Sequence, residues 1–119
     1  MITRAGLAVI ASDLDASRAF YSAVLGMELD EEEDGTFTAR REGLALRIEG
    51  GGRARRRGRH WMEEAGVYVT CLTDEFDVLV ADLRERGATL LGDIVVDSEG
   101  RRYCGVADPD GLLIEFVEA

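Results

Sequence analysis

The first apolar block of the chain, "LAVIAS" at residues 7–12, is short and bounded by polar residues, as a strand is. "DLDASRAFYSAVLGM" follows. Here Leu14, Phe20, Tyr21, Val24 and Leu25 fall at helical spacing, with the small Ser17 on the same face. Asp13 precedes this run and can cap it, because its carboxylate accepts from the free first-turn N–H groups. Gly26 ends it, suiting the left-handed position that closes a helix. The next runs, "MELDEEE", "GTFTARR" and "GLALRIE", are short and alternating, and the "EDG" and "EG" breaks between them read as hairpin turns.

The order then recurs. "GVYVTCLT" predicts a strand and "DEFDVLVADLRERGA" a helix, with Phe76, Val80 and Leu83 on one face and Gly87 at its end. "TLLGDIVVDS", "GRRYCGVAD" and "GLLIEFVE" predict three more strands. Asp13 and Gly26 map onto Asp74 and Gly87 with a shift of 61 residues. Gly43, Leu44 and Leu46 map onto Gly111, Leu112 and Ile114 with a shift of 68. The chain therefore reads as a duplicated β-α-β-β-β unit in one α+β domain over residues 1–119. Module one covers residues 1–50, an Arg-rich linker 51–64, and module two 65–119. Two such units side by side are expected to form a curved mixed sheet, with helices outside and an open trough lined by alternate strand residues. A trough of that shape suits a small molecule.

Composition narrows the setting. A chain of 119 residues supports one domain with a real core. It has no apolar run near the roughly 18 residues of a membrane span and no secretory leader pattern at its start, so a cytoplasmic protein is expected. Cys71 and Cys104 lie inside strand-like runs without metal or redox spacing and read as buried free thiols. The net charge is -10, and every basic residue is Arg. Residues 53–59, "RARRRGR", hold five Arg; outside them 24 acids face nine Arg, a net of -15. Such acidity disfavours nucleic acid and anionic membranes and attracts cations. The Arg-rich segment reads as a solvated loop or as a contact for an anion or an acidic partner.

Three stretches carry a family resemblance: "SDLDASRAFYSAVLGM", "LRERGA" and "DPDGLLIEF", the last with a Pro- and Gly-fixed turn at residues 108–111. With them the chain resembles the glyoxalase / bleomycin-resistance / extradiol dioxygenase superfamily, the vicinal oxygen chelate proteins, along nearly its whole length. The resemblance implies a glyoxalase-like fold and a homodimer whose clefts are shared between subunits. It also implies, in the metal enzymes, a His near the start of each module's first strand and a carboxylate on a late strand. Glu115 matches the carboxylate. The His places fall at Gly6 and at Val67 or Tyr68, and the module-one counterpart of Glu115 is Arg47. Glycine and valine have no side-chain donor, Arg is cationic, and Tyr is a poor ligand unless ionised. One carboxylate is too few for a metal that needs about three protein ligands. The only His, His60, lies in the linker beside Trp61 and reads as a surface or partner-contacting residue. No metal and no cofactor is expected.

Glu115 and Arg47 then have two readings. They pair with each other across the trough, or they meet a ligand. In the second reading Arg47 holds a carboxylate or enolate oxygen, and Glu115 accepts from an amine or acts as a base. Trp61, Tyr68, Tyr103 and Phe37 are the aromatic candidates for holding a planar ligand, although packing is the ordinary role of Phe37. Phe20 and Tyr21 read as packing residues. The expected function is a metal-free binding protein that sequesters a planar or cationic small molecule in a dimer cleft. The alternatives are a metal-independent lyase, isomerase or cyclase with Glu115 as base and Arg47 as oxyanion holder, and, third, a metal-dependent glyoxalase or dioxygenase with atypical ligands.

Overall fold

A computed structural model describes residues 1–50 and 67–119. They fall in two compact units, one before and one after residues 51–66. His60, Trp61 and the Arg-rich segment at 53–59 lie outside the described residues.

In the first unit, β1 (Ala8–Ala11) leads into α1 (Leu14–Ala19), continued by a π-helical turn at Phe20–Val24, and then into β2 (Glu28–Glu31), β3 (Phe37–Arg41) and β4 (Leu44–Gly50). The sheet order is β1-β4-β3-β2. β1 and β4 are parallel and the other neighbours antiparallel. Alternation decides the faces: Val9, Ala11, Phe37, Ala39, Leu46 and Ile48 are buried, together with Tyr21 and Leu25 from the helix. Asp13 caps α1 as expected, accepting from the Ala16 N–H at 3.1 Å. Gly26 closes the helix at φ 65°. Arg18 straps the helix to the sheet. It donates to Asp15, Glu31 and the Gly35 carbonyl, and its guanidinium sits 5.3 Å from the centre of the Phe37 ring. Both expected hairpin turns are present. In the first, Asp34 accepts from the Thr36 N–H at 3.0 Å, and this hydrogen bond holds its carboxyl below the ordinary value. The second turns at Glu42 and Gly43 between the paired residues Arg41 and Leu44, with Glu42 left-handed at φ 51°.

The second unit repeats the plan with β5 (Val69–Thr73), α2 (Phe76–Glu85), β6 (Val95–Val96), β7 (Arg102–Ala107) and β8 (Leu113–Glu118). Its order is β5-β8-β7-β6, with β5 and β8 parallel. Phe76, Val80 and Leu83 are buried along α2, as their spacing predicts, over a sheet face that contributes Cys104, Val106, Ile114 and Phe116. Arg102 ties three elements together. It donates to both carboxylate oxygens of Asp77 on α2, at 2.8 and 3.2 Å, and to Glu118 on β8 at 2.7 Å. Its guanidinium also lies 4.8 Å from the centre of the Phe76 ring.

Two strand predictions need correction. "TLLGDIVVDS" forms a strand only at Val95–Val96, opposite Tyr103 and Arg102. Gly92 takes a left-handed conformation at φ 76°, which breaks the extended run, and Leu91 makes a single bond to the Gly105 carbonyl at 2.8 Å. β5 begins at Val69; Val67 and Tyr68 precede it and are exposed. The chain is thus an α+β protein of two tandem β-α-β-β-β modules.

Candidate functional site

Glu115 projects from β8 on the side away from α2. Its neighbours Ile114 and Phe116 point into the core, so period-two alternation sends Glu115 to the open face. Across the sheet it is level with Gly105 on β7 and Thr70 on β5. The register comes from the "DPDG" turn. Asp108 is buried, and its Oδ1 accepts from the backbone N–H groups of Asp110 and Leu112 at 2.9 and 2.8 Å. Gly111, at φ 91°, donates its N–H to the Asp108 carbonyl.

A cleft of about 220 Å³ opens over this face. Leu113 and Glu115 line it from β8, and Tyr103, Cys104 and Gly105 from β7. Leu91, Asp93 and Val95 close the far side. Leu91 and Val95 are themselves half exposed, and Glu115 is partly so. The Glu115 carboxylate accepts no hydrogen bond and forms no ion pair among the described residues. An unpaired carboxylate beside an apolar wall can receive a cation, or a donor group of a ligand whose apolar part covers that wall.

The cysteines do not add a nucleophile. Burial pushes the thiol of Cys71 up. Burial also raises Cys104; Arg84 pulls the other way, and Glu115 adds a still smaller upward push. Both favour the unreactive protonated form.

Of the sequence candidates, Glu115 and Tyr103 come together in this cleft. Tyr68 is exposed just before β5 and is not part of it. Phe37 is fully buried, its ring 6.5 Å from that of Tyr21, and presents no surface to a ligand. Arg47 occupies on β4 the register that Glu115 occupies on β8, each flanked by a parallel and an antiparallel neighbour. Its partner, however, is Glu32, where the sequence offered Glu115 as a counter-charge: Arg47 Nη1 donates to Glu32 Oε2 at 2.5 Å. Sequence reasoning missed Leu91, Asp93, Val95, Gly105 and Leu113. A glycine inside the β7 pattern and the alternation of Leu113 with Glu115 were the available signals.

The donor set does not fit the metal centre that the family resemblance implies. The first-strand places hold Gly6 and, in module two, Val67 or Tyr68, both exposed and ahead of β5. Among the described residues no three His, Cys, Asp or Glu side chains gather where they could hold a metal ion.

Paired β-α-β-β-β modules of this kind make a glyoxalase-like fold, and sequence comparison agrees. Residues 4–116 match the profile of the Glyoxalase/Bleomycin resistance protein/Dioxygenase superfamily, and the chain belongs to that superfamily. Among solved structures, it is similar to a glyoxalase/bleomycin resistance protein/dioxygenase from Alicyclobacillus acidocaldarius. The identity is 25% and the TM-score 0.77, over 95% of this chain and 88% of that one. The genomically encoded fosfomycin resistance protein FosX from Listeria monocytogenes is 17% identical with a TM-score of 0.73, over 100% and 95% of the two chains. An integron cassette protein from the mobile metagenome of V. cholerae is 20% identical with a TM-score of 0.70, over 99% and 96%. No functionally curated protein matches the chain.

Proposed function

We propose that this chain is a small-molecule binding protein of the glyoxalase/bleomycin-resistance type, and that its module-two cleft takes a small planar cation with Glu115 as counter-ion. The observation that carries this reading is the Glu115 carboxylate, without a partner among the described residues, on the wall of a cleft that Leu91, Leu113, Val95 and Tyr103 also line, with a second carboxylate at Asp93. Covering that carboxylate with a neutral or anionic ligand strips water from it without replacement, whereas a cation replaces the lost hydration. A flat amidinium can make two parallel bonds to it while its ring packs on the apolar side. The volume, about 220 Å³, is below the roughly 300 Å³ at which drug-sized sites begin, so one ring or a small bicycle fits best. The net charge of -10 supports cation capture at long range. The reading includes a homodimer in solution, in which a second copy covers apolar surface left open at the cleft rim; sedimentation at a single-chain mass would remove that part. No metal or cofactor is invoked.

The enzyme reading asks Arg47 to hold an oxyanion. Its engagement with Glu32 favours binding over turnover.

The test uses three ligands of one shape: benzamidine, benzamide and benzoate. Benzamidine should raise the melting temperature and shift backbone resonances of β7 and β8, and the other two should do neither. Glu115→Gln should fold normally and weaken benzamidine by about tenfold or more, since a charge-assisted bond is lost. Equal binding of all three ligands, or an unchanged Glu115→Gln, would sink the proposal. Chemical conversion of the ligand would favour the enzyme.

A further inference from the structure

Six of the chain's described glycines have a positive φ, and Gly105 is not among them. Any residue could adopt its backbone conformation, so the reason for glycine at this place must be space. A Cβ built on Gly105 would lie 2.8 Å from Leu113 Cδ1 and 3.5 Å from the Ile114 carbonyl oxygen. The first distance is too short to keep, and the atom that must give way is the far end of a flexible side chain that lines the cleft. Leu113 is paired with Ala107 but leans diagonally over Gly105, which is itself level with Glu115. The bare peptide of Gly105 and the side chain laid across it thus make the floor beside the carboxylate. Tyr103, two residues earlier on the same strand, lines the cleft from the same side of the sheet.

We infer that Gly105 sets the size and flatness of the ligand that reaches Glu115, by letting Leu113 lie down across the sheet. A methyl group at position 105 forces Leu113 to lift off the sheet. The opposite face of β7 is packed core at Cys104 and Val106, so the displaced side chain moves on the cleft side of the sheet. The preferred ligand is therefore a thin aromatic cation lying edge-on to Glu115, and cations with bulk out of the ring plane are rejected. This inference deepens the binding proposal and rests on it for the identity of the ligand.

The experiment is a benzamidine titration of four full-length proteins: the parent, Gly105→Ala, Leu113→Ala and the double variant, with the Leu113 methyl resonances followed in parallel. Gly105→Ala should weaken benzamidine roughly tenfold or more and move the Leu113 methyl signals. The double variant should recover most of the lost affinity, because the clashing atoms are gone. If Gly105→Ala fails to fold, Leu113→Phe blocks the same space from β8 and should give the same loss. Parent-like affinity in Gly105→Ala or in Leu113→Phe overturns the inference, as does a double variant no better than Gly105→Ala. A parent protein that ignores benzamidine defeats the binding proposal instead. The methyl shifts still test the geometry in that case, since unmoved Leu113 signals in folded Gly105→Ala overturn it without any ligand.

Discussion

Arg47 and Glu32 form an ion pair of 2.5 Å within module one, between β4 and the turn that follows β2. The pair is about half exposed at both ends, 44% and 49%. It gives Arg47 a local partner, whereas Glu115, its register counterpart in module two, has no ion-pair partner among the described residues. Exposure limits what the pair contributes to stability to roughly 0–1 kcal/mol. Urea unfolding of Arg47→Ala, Glu32→Ala and the double variant should therefore show a coupling inside that range. A coupling several times larger would mean that the pair is desolvated in the folded protein.

The Arg102 clamp predicts acid sensitivity with a definite sign. The hydrogen bond from Arg102 is the main cause holding the Glu118 carboxyl below its ordinary value, and the bonds to Glu118 and then Asp77 push the guanidinium further up. A depressed carboxylate stabilises the fold fully above the unfolded value of about 4.3 and loses that contribution as pH falls through the lower folded value. Asp97, held down chiefly by the Arg101 N–H, acts in the same direction, as does Asp34. Melting temperature should fall as pH drops below about 4.5, and Glu118→Gln should flatten that fall. Parallel curves for Glu118→Gln and the parent would show that the clamp is not what titrates.

Ser17 tests the first core. Its side chain is completely buried, and its hydroxyl has no hydrogen-bond partner among the described residues. Removing an unsatisfied buried hydroxyl relieves a desolvation penalty of about 1–3 kcal/mol, and Ala is also the better helix former. Ser17→Ala should raise stability by about 1 kcal/mol, read as a higher urea midpoint at constant slope. A clear loss of stability would reveal a bond that the hydroxyl does make.

Metal response tests the metal-free reading. After chelator treatment, Zn, Mn, Fe(II), Ni and Co should leave the melting temperature unchanged, because a ligand that binds only the folded state must raise it. A rise that disappears in Glu115→Gln would make Glu115 a metal ligand and point to His60 as the next donor to replace.

The architecture was legible because duplication writes the same pattern twice. Asp13, Gly26 and Gly87 carried their local geometry into the structure, and Phe76, Val80 and Leu83 fell on the buried face that their spacing foretold. The run at residues 89–98 misled for a physical reason. Val95 and Val96 are apolar but exposed, so composition suggested a longer strand than pairing supplies. Glu115 was legible as a charge among apolar neighbours. What surrounds it was not, because Leu91 and Asp93 reach the cleft through an irregular segment whose course no periodicity encodes. The local partner of Arg47 was hidden for a similar reason: a run of acids after β2 does not say which member turns back toward β4.

The turn at Asp108 has an influence on chemistry out of proportion to its distance from the cleft. Its buried carboxylate fixes where β8 begins relative to β7, and so decides the phase of every side chain after it. A slip of one residue would send Glu115 into the packing under α2 and bring Ile114 out to the cleft. The same sequence would then bury a charge and present a greasy, uncharged recess. Whether this chain recognises a cation is therefore decided at a hairpin that never touches one.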